Sequence, residues 1–309
     1  KIITSFISYD QLNLMNILNL KGEIFKTPFS LELNNNPLYP ERIKIKINTK
    51  KLKLKMLDTP SPQSKHNIDR LNIFNLSNKN LITEYRYKKN SFEFNSVESR
   101  IKQLNFDYDG KLSTNPFDLT LNVNVRDIKF SKLIDPNIIF LDFFKSKFLF
   151  NKNLSTSVTL NLSSLKKGDF FNSGKIYMKI AGGKVDFNKT ALINDKIGTL
   201  KVINSELFFL NEGLKFTSDL NFSLKNLNAF YSLFQTPKKY RKKINDINIK
   251  LNYNYLNNEA LIVGFKINNI MENEETRMVL NDLNNEKKHN PVKNRHYVNK
   301  LIKAYLKGN

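Results

Sequence analysis

The stretch Leu119-Thr120-Leu121-Asn122-Val123-Asn124-Val125-Arg126 decides the fold class. Apolar and polar residues alternate in it without a break. Successive side chains of an extended strand point to opposite faces, so this segment has one apolar face and one wet face. The same period returns along the chain. Ile43, Ile45 and Ile47 enclose Lys44 and Lys46, and Leu52, Leu54 and Met56 enclose Lys53 and Lys55. Leu104, Phe106 and Tyr108 alternate with Asn105 and Asp107, and Val158, Leu160 and Leu162 with Thr159 and Asn161. Leu220, Phe222 and Leu224 alternate with Asn221 and Ser223. Ile247, Ile249, Leu251, Tyr253 and Tyr255 alternate with Asn248, Lys250, Asn252 and Asn254. Roughly a dozen or more such strands predict a mainly β chain built on a large antiparallel sheet.

The opening stretch also belongs to a repeated unit. Gly110-Lys111-Leu112-Ser113-Thr114-Asn115-Pro116-Phe117-Asp118-Leu119-Thr120-Leu121-Asn122 aligns without a gap with Gly22-Glu23-Ile24-Phe25-Lys26-Thr27-Pro28-Phe29-Ser30-Leu31-Glu32-Leu33-Asn34, 88 residues earlier. A weaker echo runs from Gly213 to Leu224 and lacks the Pro-Phe pair. Glycine allows a tight or bulged start, and proline interrupts ladder pairing and suits an edge, a bend or a strand start. Strand units of this kind stack in one direction and extend a surface.

Helix signals are few. Ser131 to Phe148 holds Pro136 near its start and a compact apolar set of Ile138, Ile139, Leu141, Phe144 and Phe148. Asn228 to Gln235 predicts a short helix with Asn at or near its cap, stopped by Pro237. Residues 271–295 are rich in Asn, Glu and Lys and read as a polar linker. Between Tyr297 and Leu306, Val298, Leu301, Ile302 and Tyr305 fall at i, i+3, i+4 and i+7, one face of a short amphipathic helix. The expected organisation is a β region over 1–270, a linker over 271–295 and a C-terminal helix over 296–309.

Composition narrows the chemistry. The chain has 309 residues, with 50 Lys and Arg against 28 Asp and Glu, for a formal net charge of +22. Cysteine is absent, which excludes disulfides, cysteine-ligated zinc, iron–sulfur clusters and thiol nucleophiles. Three histidines, His66, His289 and His296, supply a metal or general-base site poorly, and His66 lies in a Pro/Ser/Gln loop where a surface histidine is ordinary. Ten glycines leave little for a phosphate-cradling loop. Asp107 and Asp109 share a strand face but lack the spaced ligands of a calcium loop. No apolar run reaches the roughly 18–20 residues of a spanning helix; the most apolar, Ile138 to Phe150, is broken by Asp142, Lys145 and Lys147. The expectation is a non-enzyme with no catalytic residue, metal or cofactor. A start at Lys1 instead of Met is expected of a fragment.

A sheet with one apolar face must bury it. A second sheet, closure of the sheet on itself, or a non-protein partner such as lipid tails would serve. A closed sandwich and an open apolar gutter both fit the residues.

One family carries these features together. Gly174-Lys175-Ile176-Tyr177, Ala181-Gly182-Gly183-Lys184-Val185-Asp186-Phe187, Ile197-Gly198-Thr199-Leu200 and Asn204-Ser205-Glu206-Leu207-Phe208-Phe209 resemble the C-terminal module of AsmA-like proteins. Leu220 to Asn226, Ala229 to Lys239 and the repeated Pro-Phe-x-Leu-x-Leu unit strengthen the likeness, which covers roughly residues 10–270. The resemblance implies a relative of AsmA, TamB and YhdP, members of a repeating β-groove lipid-transfer superfamily. It implies a long curled antiparallel sheet forming an open apolar groove, with two short helices and a C-terminal amphipathic helix. It further implies a periplasmic location, an N-terminal inner-membrane helix missing from this chain, and envelope proteins as partners. The implied work is carriage of phospholipid acyl chains between inner and outer membrane, in outer-membrane biogenesis.

The inward set expected on that reading is Phe29, Leu31, Leu33, Phe117, Leu119, Leu121, Val123, Phe222, Leu224, Ile249 and Leu251. A core of the same residues in a closed, structural or adhesin-like β protein without lipid has the same pattern and stays open. An outer-membrane barrel fragment is a third reading, but the segment after residue 270 does not resemble a closing strand. The lysines from Lys44 to Lys55 fall on alternating outer positions, as solvated strand faces do. Lys238, Lys239, Arg241, Lys242 and Lys243 form a denser run and are the candidates for anionic head groups at a membrane surface. A nucleic-acid partner is not expected.

Overall fold

The computed structural model describes residues 1–24, 27–38, 43–49, 53–60, 69–76, 79–88, 90–101, 104–127, 129, 148–163, 170–210, 213–255, 257, 259–286 and 291–307. The chain is mainly β and divides into two compact units. The first comprises Lys1–Ile128, Lys132–Ser163 and Ile180–Gly183; the second comprises Lys129–Ser131, Ser164–Lys179 and Lys184–Asn309. The span 1–270, expected as one repeating body, therefore crosses from one unit into the other.

The first unit contains β1 (Ile2–Asp10), β2 (Met15–Ile24), β3 (Thr27–Asn35), β4 (Ile43–Thr49), β5 (Lys53–Pro60) and β6 (Asp69–Leu76). It continues with β7 (Lys79–Lys88), β8 (Ser91–Ile101), β9 (Leu104–Thr114), β10 (Phe117–Arg126) and β11 (Thr156–Ser163). From β1 to β10 each strand pairs antiparallel with the next. The expectation of purely antiparallel order fails at β11, which runs parallel to β10. A parallel neighbour requires a long crossover, and the chain between the two strands supplies it, ending in a 3-10 turn at Phe148–Phe150. The helix expected over Ser131 to Phe148 lies outside the described residues, apart from Phe148 itself.

Both copies of the repeated unit fold as β-hairpins, but they turn at different places. In the first, Ile24 faces Thr27 across the turn and Pro28 sits in the ladder opposite Glu23. In the second, Asn115 and Pro116 form the turn itself. The copies share the use of glycine. A Cβ on Gly22 would stand 2.9 Å from the Phe29 ring, and one on Gly110 would collide with the Phe94 ring. Each glycine thus seats an aromatic ring flat against its strand. At the first copy the register of β1 also shifts, between Ile2 opposite Gly22 and Thr4 opposite Lys21.

The second unit holds β12 (Ser173–Ala181, whose last two residues belong to the first unit), β13 (Lys184–Asp186), β14 (Ala191–Asn194) and β15 (Gly198–Leu210). It continues with β16 (Gly213–Leu224), β17 (Asp246–Asn254), β18 (Glu259–Ile267) and β19 (Ile270–Met271). β14 to β19 pair antiparallel in chain order, and β12 pairs with β14. Among the described residues three helices accompany these strands: α1 (Leu227–Leu233) between β16 and β17, and α2 (Glu274–Asn285) and α3 (Pro291–Lys307) after β19. They cover one face of the sheet. Phe222, Ile247, Phe265 and Ile267 from strands meet Phe230 and Tyr231 of α1, Leu280 of α2, and Leu301, Ile302 and Tyr305 of α3 in one buried cluster.

The helices correct three expectations. The cap of α1 is Asn226, whose Oδ1 accepts from the Ala229 amide at 3.0 Å, and α1 ends at Leu233, short of Pro237. The stretch 271–295 is not a linker: α2 occupies residues 274–285 and α3 begins at Pro291. Asn273 caps α2 by accepting from the Thr276 amide at 2.8 Å, and its Nδ2 donates to the Ala304 carbonyl at 3.0 Å. The C-terminal helix begins at Pro291, before the expected 296, and its proline suits a first helical position.

Candidate functional site

Directly opposed residues of paired strands lie on the same side of a sheet. The register of the first unit therefore sorts its residues into rows. One row runs Ile7, Leu18, Leu33, Ile45, Met56, Phe74 and Leu81 across β1 to β7. The next row, one residue along each strand, runs Phe6, Asn19, Glu32, Lys46, Lys55, Asn75 and Asn80. Beyond a register shift between Ile82 and Thr83, the alternation resumes. Phe92, Leu112 and Leu119 form one row, Tyr108, Val123 and Leu160 another, and Phe106, Val125 and Leu162 a third. Period-two sequences had to be paired in matching phase for this to happen, because a slip of one residue would mix the two sets.

The expected residues of the first unit fall into the apolar rows. Leu31 faces Leu20 and Ile47, Leu33 faces Leu18 and Ile45, and Phe29 covers Gly22. Leu119, Leu121 and Val123 face Leu112, Gly110 and Tyr108, and Phe117 faces Thr114. Phe29, Leu31, Leu33, Phe117, Leu119, Leu121 and Val123 are all half-buried. Ile7, in the same row as Leu18 and Leu33, is 76% exposed. Among the described residues, Val125 and Leu162 on β10 and β11 are buried, as are Leu149 and Leu154 on the segment preceding β11.

The polar rows are laced together. Lys46 Nζ donates to Glu32 at 2.7 Å and Asn34 donates to it at 2.9 Å, and these bonds hold the Glu32 carboxyl below its ordinary range. Asn122 donates to Asp109 at 2.9 Å, Asn124 donates to Asp107, and Arg126 reaches Asp107 at 3.2 Å. Asn161 donates to Asn124 at 2.9 Å across the parallel pair. Asp107 and Asp109 are thus engaged by neighbouring strands. His66 lies outside the described residues.

The expected residues of the second unit stand elsewhere. Phe222 is buried in the helix-covered cluster, and Leu224 and Ile249 pack against it. For these three the expectation of an open groove is corrected, because α1, α2 and α3 occupy the face they point to. Leu251 is half-buried on β17, opposite Ser218. Two polar anchors hold α3 on this face. Tyr305 Oη donates to the Ile267 carbonyl at 2.8 Å, and Asn299 donates to the Phe234 carbonyl at 2.6 Å. Burial raises the pKa of the Tyr305 hydroxyl.

Lys238, Lys239, Arg241, Lys242 and Lys243 are exposed, on and just after a 3-10 turn at Lys238–Tyr240. Two cations that the basic run alone does not reveal stand with them: Lys303 of α3 lies over the Tyr240 ring, and Lys300 is three residues earlier on the same helix. Only the helical spacing of 300 and 303 hinted at a shared face. Among the described residues, no helix is long and apolar enough to cross a membrane. Compared with family models, curated proteins and solved structures, the chain matches none.

Proposed function

We propose that the chain is a non-enzymatic lipid carrier whose first unit holds phospholipid acyl chains along an open, curled apolar groove. The observation that carries this reading is the row Ile7–Leu18–Leu33–Ile45–Met56–Phe74–Leu81, apolar at every position across seven consecutive strands. Half-burial of Leu31, Leu33, Leu119, Leu121 and Val123 supports it, since these side chains retain surface for a ligand. Each acyl CH2 removed from water contributes about 0.8 kcal/mol. A wall made of similar strands offers a chain many near-equal positions, and so permits movement along it. The laced polar rows keep the opposite side in water. The likeness of roughly residues 10–270 to AsmA-like proteins supports a periplasmic, inner-membrane-anchored role in outer-membrane biogenesis, with the membrane surface and envelope proteins as partners.

The helix-covered core around Phe222 favours a second reading for the second unit alone, as a closed structural domain without lipid. The test is native mass spectrometry of lipids retained by the purified chain, repeated after extraction and reloading with a fluorescent acyl-chain phospholipid. Retained phospholipid and saturable reloading are expected. A chain that keeps no lipid and takes up no probe returns the whole molecule to the structural reading.

A further inference from the structure

The second unit carries a built cationic surface. Between α1 and β17 the chain presents Lys238, Lys239, Arg241, Lys242 and Lys243, all exposed. Their backbone is held from several sides. Arg241 Nε donates to the Thr236 carbonyl at 2.9 Å, and the Tyr231 hydroxyl donates to the Lys242 carbonyl. The Thr236 hydroxyl donates to Asn299 of α3 at 2.6 Å. The same helix sets Lys303 Nζ 5.0 Å from the Tyr240 ring centre, and Lys239 Nζ stands 5.2 Å from that ring. Exposed Lys300 stands three residues earlier on the same helix. Among the described residues none of these seven cations forms an ion pair. Like charges gathered on a fixed backbone without ion-pair partners repel one another. An anionic partner relieves that repulsion and gains from every charge at once.

We propose that this platform docks the protein on an anionic bilayer surface through phospholipid head groups. A nucleic acid fits less well. Tyr240 is half-buried and already carries two ammonium groups at its ring, which a stacking base would have to displace. Leu233, 36% exposed at the end of α1 just before the basic run, is an apolar side chain able to enter the head-group layer. The proposal deepens the lipid-carrier reading and rests on it for its purpose, although the docking itself does not require a groove.

The test is vesicle flotation of the full chain, with phosphatidylcholine alone and with about a third phosphatidylglycerol. Binding to the anionic vesicles is expected to be at least about tenfold tighter and to fall with salt. The triple variant K238E/K242E/K243E is expected to lose about tenfold or more. Lys303→Gln, which leaves six exposed cations in place but unties Lys303 from Tyr240, is expected to lose less. The charge-matched control K21E/K44E/K152E changes three exposed lysines of the first unit and is expected to bind as the parent does. Equal loss in both triples would overturn the proposal, because binding would then follow net charge alone. Tighter binding to an oligouridine than to vesicles, lost in the platform triple, would overturn it in favour of nucleic acid. Leu121→Asp separates the two readings: unchanged flotation with unchanged acyl-probe uptake sinks the groove and leaves the platform standing. Uptake without flotation in the parent chain does the reverse.

Discussion

Ser218 and Ser205 are both almost fully buried in the second unit, and they differ in one respect. Ser205 accepts from the Phe187 amide at 2.7 Å and donates to Asn188 at 3.1 Å. The Ser218 hydroxyl, on β16 opposite Leu251, has no hydrogen-bond partner among the described residues. A buried hydroxyl without a bond carries its desolvation penalty uncompensated. Ser218→Ala is therefore expected to stabilise the protein by up to about 1 kcal/mol. Ser205→Ala is expected to cost about 1–3 kcal/mol, since it orphans the Phe187 amide. Urea unfolding followed by circular dichroism distinguishes the two, and a loss of stability in Ser218→Ala would contradict the assignment. Neither difference is legible from sequence. Both serines interrupt apolar positions of a strand, and only Ser205 is met by Asn188, from the segment just after β13, which pairs with β15.

At the scale of elements, the period of Leu119 to Arg126 was enough to place β10, and the same is true of most strands named from alternation. Which residue turns the hairpin was not legible, because Gly-x-x-x-x-x-Pro-Phe is the same string in both copies while the turns differ by two residues in phase. α2 was hidden by its composition. Its sequence has mostly charged and amide side chains, and only Thr276, Val279, Leu280 and Leu283 touch the core or lie buried. That strip has helical spacing, and Asn273 three residues before Thr276 is a cap signal. The glycine of the repeat gives the sharper test. A Cβ on Gly110 would meet the Phe94 ring, which can move, and also the Thr120 carbonyl of β10 at 2.6 Å, which is backbone. Gly110→Ala is expected to cost about 1–3 kcal/mol. Combining it with Phe94→Leu is expected to recover only part of that loss, because the carbonyl remains. Full recovery in the double mutant would show that the ring alone sets the requirement.

For the whole molecule, the decisive comparison is between Leu121 and Phe222. In sequence the two are equivalent: each is the middle apolar residue of an alternating strand flanked by Asn, Thr or Ser. What separates them is non-local. Phe222 lies under helices contributed by residues up to 83 positions later, Tyr305 among them, whereas Leu121 is half-buried between Gly110 and Val158. No local pattern encodes whether another layer arrives, so a groove residue and a core residue read alike. The same substitution should therefore have opposite consequences. In Phe222→Asp a charge enters a packed interior and must be desolvated without a partner, so the second unit is expected to lose cooperative unfolding and α3 to become protease-sensitive. In Leu121→Asp the carboxylate keeps access to water, so the unfolding midpoint is expected to shift little while uptake of a fluorescent acyl-chain phospholipid is abolished. Measured side by side, equal and severe loss of stability in both variants would mean that the first unit is closed around Leu121 as the second is around Phe222, and a lipid groove there would have no room to exist.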